Sequence, residues 1–400
     1  MTRQIVVGID IGTSQVKVVI AEGSLEGGHV VPRIIGTSSS ESKGVYRGYI
    51  NNPAEASRSV SAAITQAEKV AGVKIRRAYV SFGGIGLGSV VANGSVIISR
   101  ADMEITERDL TLALEAAEAS IPPAASINKR IINTVPIEYK IDGKTVWGEA
   151  VGLKAQKLEV KVLFITCLEH HLTDLINTVE EAGVEVVDVV AAPVALSFVT
   201  LTKKQKRVGC LLVDIGAETL SVVAFEDNNL ISLEVFPSGS NDITNEIALG
   251  LKISLEEAEN IKLGNESRIA YSKKKLDEII SKQLSAIFDL ARTHLKSIGR
   301  DTLLPGGSII AGGGAQIAGV KSIAENSLKL PSQLALIYFG NASGGKIKDP
   351  AWAIACGLLV VGFNADNEQH SIGIRGTTQI AEDGRRWGKI ILRWISQFLP

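Results

Sequence analysis

The sequence lacks several features that mark particular classes of protein. Only three of its 400 residues are cysteine, 5% are aromatic, the net charge is −1, and no apolar run reaches 18 residues. The cysteines are far apart and form no CxxC pair, which argues against a disulfide scaffold or a cysteine metal site and favours reduced core thiols. A nearly neutral chain has no global attraction to nucleic acid. Without a long apolar run it gives no transmembrane-helix signal.

The remaining composition is that of a soluble globular protein. Apolar residues make up 45% of the chain and charged residues 21%, and a length of 400 residues predicts two or three domains. Asp10 interrupts the apolar run near the start, which is not typical of a signal peptide, so we expect a cytoplasmic protein. Glycine is enriched, at 39 residues, and predicts places where the backbone turns tightly or approaches a neighbour closely.

One strand–turn–strand pattern occurs twice, about 200 residues apart. Near the start the chain reads VVGIDIGTSQVKVVIAEG, and later it reads VGCLLVDIGAETLSVVAFED. In both stretches an aspartate at the end of an apolar strand is followed by glycine and small polar residues. Helical spacing of apolar residues, as in residues 53–71, alternates with such strands. The sequence therefore predicts an α/β fold with two related halves.

Residues 83–163 differ in pattern from both halves and predict a small α+β unit. The stretch GSVVANGSVIIS predicts a hairpin that turns at Asn93-Gly94. Thr106 and Asp109 have the spacing of a capping box and predict the start of a helix. The glycine-rich segment GGIGLG runs into a strand and not into a helix, so we expect a bend there and no dinucleotide site.

The two Asp-Ile-Gly turns have the residue types of a nucleotide site. Such turns expose successive backbone N–H groups that can hold phosphate oxygens. Carboxylates such as Asp10 and Asp214 suit Mg²⁺, which usually takes one or two protein carboxylates together with phosphates and water. Lys17 can reach the same phosphates; the alternative is an edge or surface position in a hairpin. A third glycine turn at 312–314 lets the backbone approach a base or a ribose, and no P-loop motif is present.

In this order, DIGTS, DIGAET and AGGGA resemble the superfamily of actin, heat-shock chaperones and sugar kinases. The stretches EITERDLTLALEAA, LEVKVLFIT, PSGSNDITNEIALGL and IIAGGGAQIAGV narrow the resemblance to FtsA, the family of actin-like bacterial division proteins. The resemblance implies a two-lobe ATPase fold with duplicated ribonuclease-H-like domains. It assigns residues 1–82 and 164–198 to the first lobe, 83–163 to an inserted 1C subdomain, and 199–363 to the second lobe, whose smaller subdomain is about 239–308.

The same resemblance implies the residues that hold ATP and Mg²⁺. The first phosphate loop comprises Asp10, Gly12, Thr13, Ser14 and Lys17, and the second comprises Asp214, Gly216, Ala217 and Glu218. Gly239, Asp242 and Thr244 border the nucleotide, Glu259 and Lys262 lie near the ribose and adenine, and Gly312, Gly313 and Gly314 lie opposite. Asp10 and Asp214 are the implied magnesium ligands, directly or through water. From the residues alone, Glu259 and Lys262 also fit a solvated helix face.

The segment in which this superfamily often carries the residue that orients the attacking water is AAPVA, residues 191–195, without Glu or Gln. General-base assistance is typically worth about 10²–10⁴-fold, so we expect ATP binding with slow turnover at most. The nucleotide would then act mainly as an assembly ligand.

The last sixteen residues, RRWGKIILRWISQFLP, follow a polar segment, 364–384, that we expect to be a flexible linker. On a helix, one face carries Trp387, Ile390, Ile391, Trp394, Ile395 and Phe398, and the opposite face carries Arg385, Arg386, Lys389 and Arg393. Such a helix suits the interface of an anionic membrane. The alternative, a terminal helix packed on the protein's own core, is disfavoured by the polar linker and by four cations with no acidic residue. These cations leave −5 for the other 384 residues, and the position matches the FtsA membrane-targeting helix.

The resemblance implies an ATP-binding division protein on the cytoplasmic face of the membrane at midcell. It implies that the protein tethers FtsZ through the FtsZ C-terminal peptide, bound on the smaller subdomain of the second lobe. Other implied partners are further copies of the chain in protofilaments, membrane lipids and downstream division proteins, with no nucleic acid. A PilM-like protein of type IV pilus assembly is the alternative, and the amphipathic terminus favours FtsA over it. A small-molecule kinase of the superfamily would need a catalytic aspartate facing an acceptor hydroxyl.

Overall fold

The computed structural model describes residues 4–26, 29–146, 148, 150–266, 270–337, 339 and 349–371. The predicted membrane-targeting helix at 385–400 and residues 372–384 of the predicted linker lie outside this part of the chain.

Within the described residues the chain forms sixteen strands and eleven α-helices. The strands are β1 (Gln4–Ile11), β2 (Gln15–Glu26), β3 (His29–Glu41), β4 (Val45–Tyr46), β5 (Tyr49–Ile50), β6 (Arg77–Phe82), β7 (Gly88–Ile97), β8 (Lys129–Ile141), β9 (Lys144–Val146), β10 (Lys157–Leu168), β11 (Glu185–Ala191), β12 (Cys210–Ile215), β13 (Leu220–Glu226), β14 (Asn229–Phe236), β15 (Ser308–Ala311) and β16 (Ser332–Leu334). The helices are α1 (Pro53–Ala71), α2 (Glu107–Ala119), α3 (Pro123–Ser126), α4 (Glu169–Glu181), α5 (Ala192–Thr200), α6 (Lys203–Val208), α7 (Ser240–Leu251), α8 (Leu255–Lys262), α9 (Lys273–Ser297), α10 (Val320–Leu328) and α11 (Ala353–Ser371).

The first lobe is built on a five-stranded sheet in the order β11–β6–β1–β2–β3. β11, β6 and β1 are parallel, and β2 and β3 continue the sheet antiparallel. Because successive side chains of a strand point to opposite faces, Val7 of β1 packs in the core beside α1, whereas Val6 packs with α11. Gly8 also faces α11, and a Cβ there would lie 2.6 Å from the carbonyl oxygen of Ala355. The glycine therefore lets the helix lie close to the sheet.

The second lobe repeats this arrangement. Its strands lie in the order β16–β15–β12–β13–β14, with the first three parallel and the last two antiparallel. The predicted duplication is therefore confirmed at the level of strand order and direction. α7 packs against α8 and α9, and α9 packs against α10. Cys210 of β12 is buried, as are the other two cysteines, and all three thiols are free, as predicted.

The inserted unit has its own sheet, β7–β10–β8–β9, with α2 against one face. The capping box at its start is present, since the Asp109 carboxylate accepts from the Thr106 N–H at 2.8 Å. The predicted hairpin at Asn93-Gly94 is wrong, because β7 runs through both residues. A Cβ on Gly94 would overlap the backbone of Ala113 on α2. This glycine therefore allows close packing of the helix on the strand and does not make a turn.

The inserted unit also contacts the second lobe, through β14. Glu234 pairs with Gly88, which joins the two sheets into one of nine strands. Beside this pairing the Ser89 hydroxyl accepts from the Leu233 N–H at 2.9 Å and donates to the Leu233 carbonyl at 3.1 Å. The Ser89 side chain here satisfies the backbone N–H and carbonyl of Leu233, which a neighbouring strand would otherwise pair. The inserted unit is therefore hydrogen-bonded to the second lobe.

α11 lies across the first lobe, and its apolar side chains, such as Leu358 and Leu359, are buried there. It continues to Ser371, eight residues into the predicted linker, so that part of the linker prediction is wrong. Residues 364–371 contain no glycine or proline to end the helix. Among the residues that the structure describes, no helix combines the length and apolar character needed to cross a membrane.

Candidate nucleotide site

The strands β1 and β12 end in matching turns. Asp10 and Asp214 are each the last residue but one of their strand. The Gly12 N–H donates to the carbonyl of Gln15 at 3.1 Å, and the Gly216 N–H donates to the carbonyl of Thr219 at 2.8 Å. Both turns therefore close over the same number of residues, at equivalent ends of the two duplicated sheets.

Asp10, Lys17 and Asp214 are close enough to affect one another's charge. Lys17 of β2 lies directly opposite Asp10 in the ladder, inside the sheet between β1 and β3, so its predicted edge alternative is wrong. Burial, together with the Asp10 charge, raises the pKa of Asp214 to about 7, and the Lys17 ammonium opposes the shift. Burial also raises the pKa of Asp10, against the effects of Lys17 and of the Ser81 hydroxyl, which donates to Asp10 Oδ1 at 2.7 Å. The first lobe thus brings a cation to a pair of buried carboxylates.

This pair of carboxylates fits Mg²⁺. Two buried like charges destabilise each other, and a divalent cation between them would relieve that repulsion. Within the described part of the chain, no group of three or more His, Cys, Asp or Glu side chains is placed to hold a metal ion. Mg²⁺ does not need such a group, because phosphates and water complete its shell. Asp10 and Asp214 are thus the residues that would hold it.

The third glycine turn packs against the second loop. Gly312 has φ +81°, and a Cβ there would overlap Asp214 Oδ1 and lie 2.5 Å from the Ile215 carbonyl oxygen. Gly314 likewise packs on the Ile215 side chain. At Gly313, in contrast, a Cβ would meet no atom within 4 Å. The turn therefore touches the carboxylate with one glycine and faces open space with the next.

The start of α7 is bonded to the second loop. The Ser240 N–H donates to the Gly216 carbonyl at 2.9 Å. A Cβ on Gly239 would lie 2.7 Å from the Glu218 backbone nitrogen. The Asp242 carboxylate caps the helix by accepting from the Gly239 N–H at 3.1 Å and from the Ser238 hydroxyl at 2.8 Å. These contacts hold the second loop in place against the start of α7.

Lys262 is buried in a polar cluster between α7 and α8. Its Nζ bonds Glu259 Oε2 at 2.6 Å, Thr244 Oγ1 at 2.8 Å and the Ser240 carbonyl at 3.2 Å. The Thr244 hydroxyl donates to Glu259 at 2.6 Å. The Lys262 side chain is only 3% exposed, so a solvated helix face is wrong for this residue. The cluster brings the predicted Thr244, Glu259 and Lys262 together.

The segment 191–195 is buried throughout. It begins at the end of β11, where the Ala191 N–H donates to Asn133 Oδ1 of the inserted unit at 3.1 Å. None of its five side chains is polar. Sequence reasoning did not single out Asn133, which lies 58 residues away in the chain.

The tip of the hairpin β4–β5, at Arg47 and Gly48, is a further part of the site that sequence reasoning missed. At its tip the Arg47 N–H donates to Glu218 Oε2 at 2.7 Å, and the Gly48 N–H donates to Thr13 Oγ1 at 3.2 Å. Arg47 and Gly48 have φ +49° and +75°, as in a type I′ turn. The only signal in the sequence is a two-residue turn that ends in glycine. One tip thus bonds to both phosphate loops.

Two family models match the chain. The model "Cell division protein FtsA" matches residues 211–357, and "SHS2 domain inserted in FTSA" matches residues 84–166. The cell division protein FtsA of Pseudomonas aeruginosa is 26% identical over 95% of this chain and 94% of its own length. Those of Borreliella burgdorferi and Bacillus subtilis are each 29% identical, over 90% and 89% of this chain and 91% and 83% of their own.

Solved structures share the fold. The PilM–PilN type IV pilus biogenesis complex contains a chain that matches with a TM-score of 0.64 at 18% identity, covering 90% of this chain and 98% of that one. MreB5 of Spiroplasma citri bound to AMPPNP matches with a TM-score of 0.51 at 13% identity, covering 92% and 99%. These likenesses show an actin-like α/β fold, as the sequence predicted.

Proposed function

The chain belongs to the FtsA family of cell division proteins, and from this premise we propose that it binds ATP with Mg²⁺, assembles at the division site and tethers FtsZ to the cytoplasmic membrane. The observation that carries the proposal is the pairing of the two phosphate loops. Asp10, Lys17 and Asp214 interact across one site, and the tip at Arg47-Gly48 bonds to both loops. The likeness to PilM at 18% identity concerns the fold alone and does not favour pilus assembly.

The site has what a polyphosphate needs. Gly12 and Gly216 close the two turns with their own N–H groups, and the turn residues between, 13–14 and 217–218, offer further backbone N–H groups to a phosphate. The Lys17 ammonium offers a positive charge. When bound, Mg²⁺ would neutralise the charge of the carboxylates and phosphates. The fold neighbour MreB5 was solved with ADP and with AMPPNP, which supports a nucleotide as the ligand. With no polar side chain in 191–195, we expect turnover to be slow.

Exposed leucines on the smaller subdomain of the second lobe support the proposal of a peptide partner there. Leu249, Leu255 and Leu263 are between half and three-quarters exposed there. Exposed apolar side chains on a subdomain rich in helices suit an apolar peptide segment. The C-terminal peptide of FtsZ is the partner we propose for this surface.

The membrane contact is assigned to residues 385–400. Six large apolar side chains at about 1.5–3 kcal/mol each give about 9–18 kcal/mol as an upper figure. Each basic residue adds about 1 kcal/mol at an anionic surface, and ordering the helix removes several kcal/mol. The balance is reversible binding, which assembly into filaments would strengthen.

Liposome recruitment tests the tethering proposal. Wild-type protein with ATP should carry FtsZ into the pellet with anionic liposomes. Trp394→Glu should leave both proteins in the supernatant, because it places a charge on the apolar face. Gln397→Glu adds the same charge on the polar face and serves as the matched control. Co-sedimentation of Trp394→Glu at the wild-type level would refute the membrane assignment.

Calorimetric titration tests the nucleotide proposal. We expect wild-type protein to bind ATP in the presence of Mg²⁺, and Lys17→Met to bind at least about tenfold more weakly, because a charged hydrogen bond to phosphate is worth about 1.5–3 kcal/mol. Lys321→Met, on the exposed face of α10, is the control and should bind like wild type. Equal affinity of Lys17→Met and wild type would contradict the assigned role, and phosphate release at tens per second would contradict slow turnover.

A further inference from the structure

The hairpin β4–β5 lies between the phosphate loops and the inserted unit. Its tip bonds to Thr13 of the first loop and Glu218 of the second, as described above. The next residue along, Tyr49, faces the places where the chain enters and leaves the inserted unit. One short hairpin therefore contacts three parts of the molecule.

Tyr49 stacks on the segment by which the chain leaves the inserted unit. Its ring lies 3.5 Å from that of His171, centroid to centroid, with 12° between the planes. His171 is the third residue of α4, which begins directly after β10 ends at Leu168. Burial raises the pKa of Tyr49 to about 12. Any rotation of β10 at this end would therefore disturb a partly buried, stacked ring.

The segment by which the chain enters the inserted unit also packs on the hairpin. A Cβ on Gly84 would lie 2.7 Å from the Tyr49 ring, and one on Gly86 would lie 2.9 Å from its hydroxyl. The Ile85 N–H donates to the Arg47 carbonyl at 3.3 Å. At Gly48 a Cβ would lie only 2.5 Å from Gly84 Cα. Backbone meets backbone here, so no flexible side chain can absorb a displacement.

We propose that this hairpin carries the nucleotide state of the phosphate loops to the inserted unit; the inference rests on the proposed ATP binding. A ligand shifts an equilibrium only if it interacts differently with the two states. A polyphosphate brings negative charge beside the Glu218 carboxylate and a competing acceptor beside the Thr13 hydroxyl. Both hydrogen bonds to the tip change in strength, and the tip moves with its loops. Through Tyr49 that movement reaches the ends of β7 and β10.

Hydrogen–deuterium exchange of the full-length protein, with and without ATP and Mg²⁺, tests the link. In wild type, ATP should change exchange in the strands β7 and β10 of the inserted unit. Tyr49→Leu keeps apolar volume but removes the stacked ring; it should still bind ATP and lose the change in β7 and β10. Tyr46→Leu is the matched control, since this ring is on the same hairpin and half exposed. It should keep both responses.

The outcomes separate the two proposals. If wild type binds no ATP by calorimetry, the proposed function is overturned and this inference with it. If wild type binds ATP but β7 and β10 exchange as before, or if Tyr49→Leu keeps their response, the inference alone is overturned. Should thermal melting show that Tyr49→Leu does not fold, His171→Leu, which removes the other ring of the stack, is judged by the same two results. Loss of the response with ATP binding retained supports the link.

Discussion

Replacing Asp188 by asparagine should make the protein less sensitive to pH. Asp188 lies on β11 opposite Tyr79, beside a bulge in the ladder, and is 1% exposed. Its Oδ1 accepts from the Val189 N–H at 2.8 Å, and within the described residues its buried Oδ2 has no hydrogen-bond partner. Burial raises the pKa of Asp188 to about 7, against a small opposing effect of the Val189 N–H.

The sign and size of the effect follow from linkage. The folded state holds the Asp188 proton more tightly than the unfolded state, where the pKa is about 3.9. Stability from this group is therefore complete below about pH 4 and falls by about 1.4 kcal/mol per pH unit until about pH 7. An asparagine at this position would keep the acceptor for the Val189 N–H without a charge, but its amide would lack an acceptor, at a cost of about 1–3 kcal/mol.

Urea unfolding of Asp188→Asn and wild type at pH 5 and pH 8 measures this directly. The free energy of unfolding of the variant, relative to wild type, should rise by about 3 kcal/mol between the two pH values and favour the variant at pH 8. Asp277→Asn, on the exposed face of α9, is the control and should show no such change. A relative stability of Asp188→Asn that does not vary with pH, or a variant that is less stable at pH 8, would refute the reasoning.

Two further substitutions test the candidate site. Gly312→Ala should lower the free energy of unfolding by about 1–3 kcal/mol and weaken ATP binding, because its Cβ overlaps the Asp214 carboxylate. Thermal melting and calorimetry measure the two effects. Gly313→Ala, with open space around its Cβ, is the control for stability and should melt like wild type. Lys262→Met should lower the free energy of unfolding by about 1–3 kcal/mol, because it leaves the Glu259 carboxylate without its cation. Urea unfolding measures this. An unchanged free energy of unfolding would mean that the cluster does not stabilise the fold.

Sequence reasoning found the features that repeat or have local spacing. The two Asp-Ile-Gly turns stood out because each follows an apolar strand, and the sheets that carry them have equal strand order. It failed where a residue's role depends on distant neighbours. Gly94 looks like a turn residue, but the backbone of α2 is what requires it. Lys262 looks solvated on its own helix, yet α7 covers it.

The tip of the hairpin β4–β5 is another place where a role that depends on distant residues could not be predicted from the sequence. Arg47 contacts Glu218, 171 residues away in the chain, through a backbone N–H that any residue except proline would supply. Such a contact does not depend on the residue type and therefore cannot be predicted from it. Only the turn geometry, with two positive φ values, restricts the sequence, and it restricts it weakly because a non-glycine residue stands at the first position.

Two identical loops, one from each duplicated half, would let a ligand bind in two equivalent orientations. The two loops differ in charge, however. Asp10 has Lys17 opposite it in the ladder, whereas Asp214 has Ser221 opposite it and Glu218 four residues further along. One end of the site thus carries its own counter-charge and the other end carries two carboxylates. An asymmetric, highly charged molecule therefore has one favoured direction in a nearly two-fold symmetric site, and every copy of the chain would present it in the same sense.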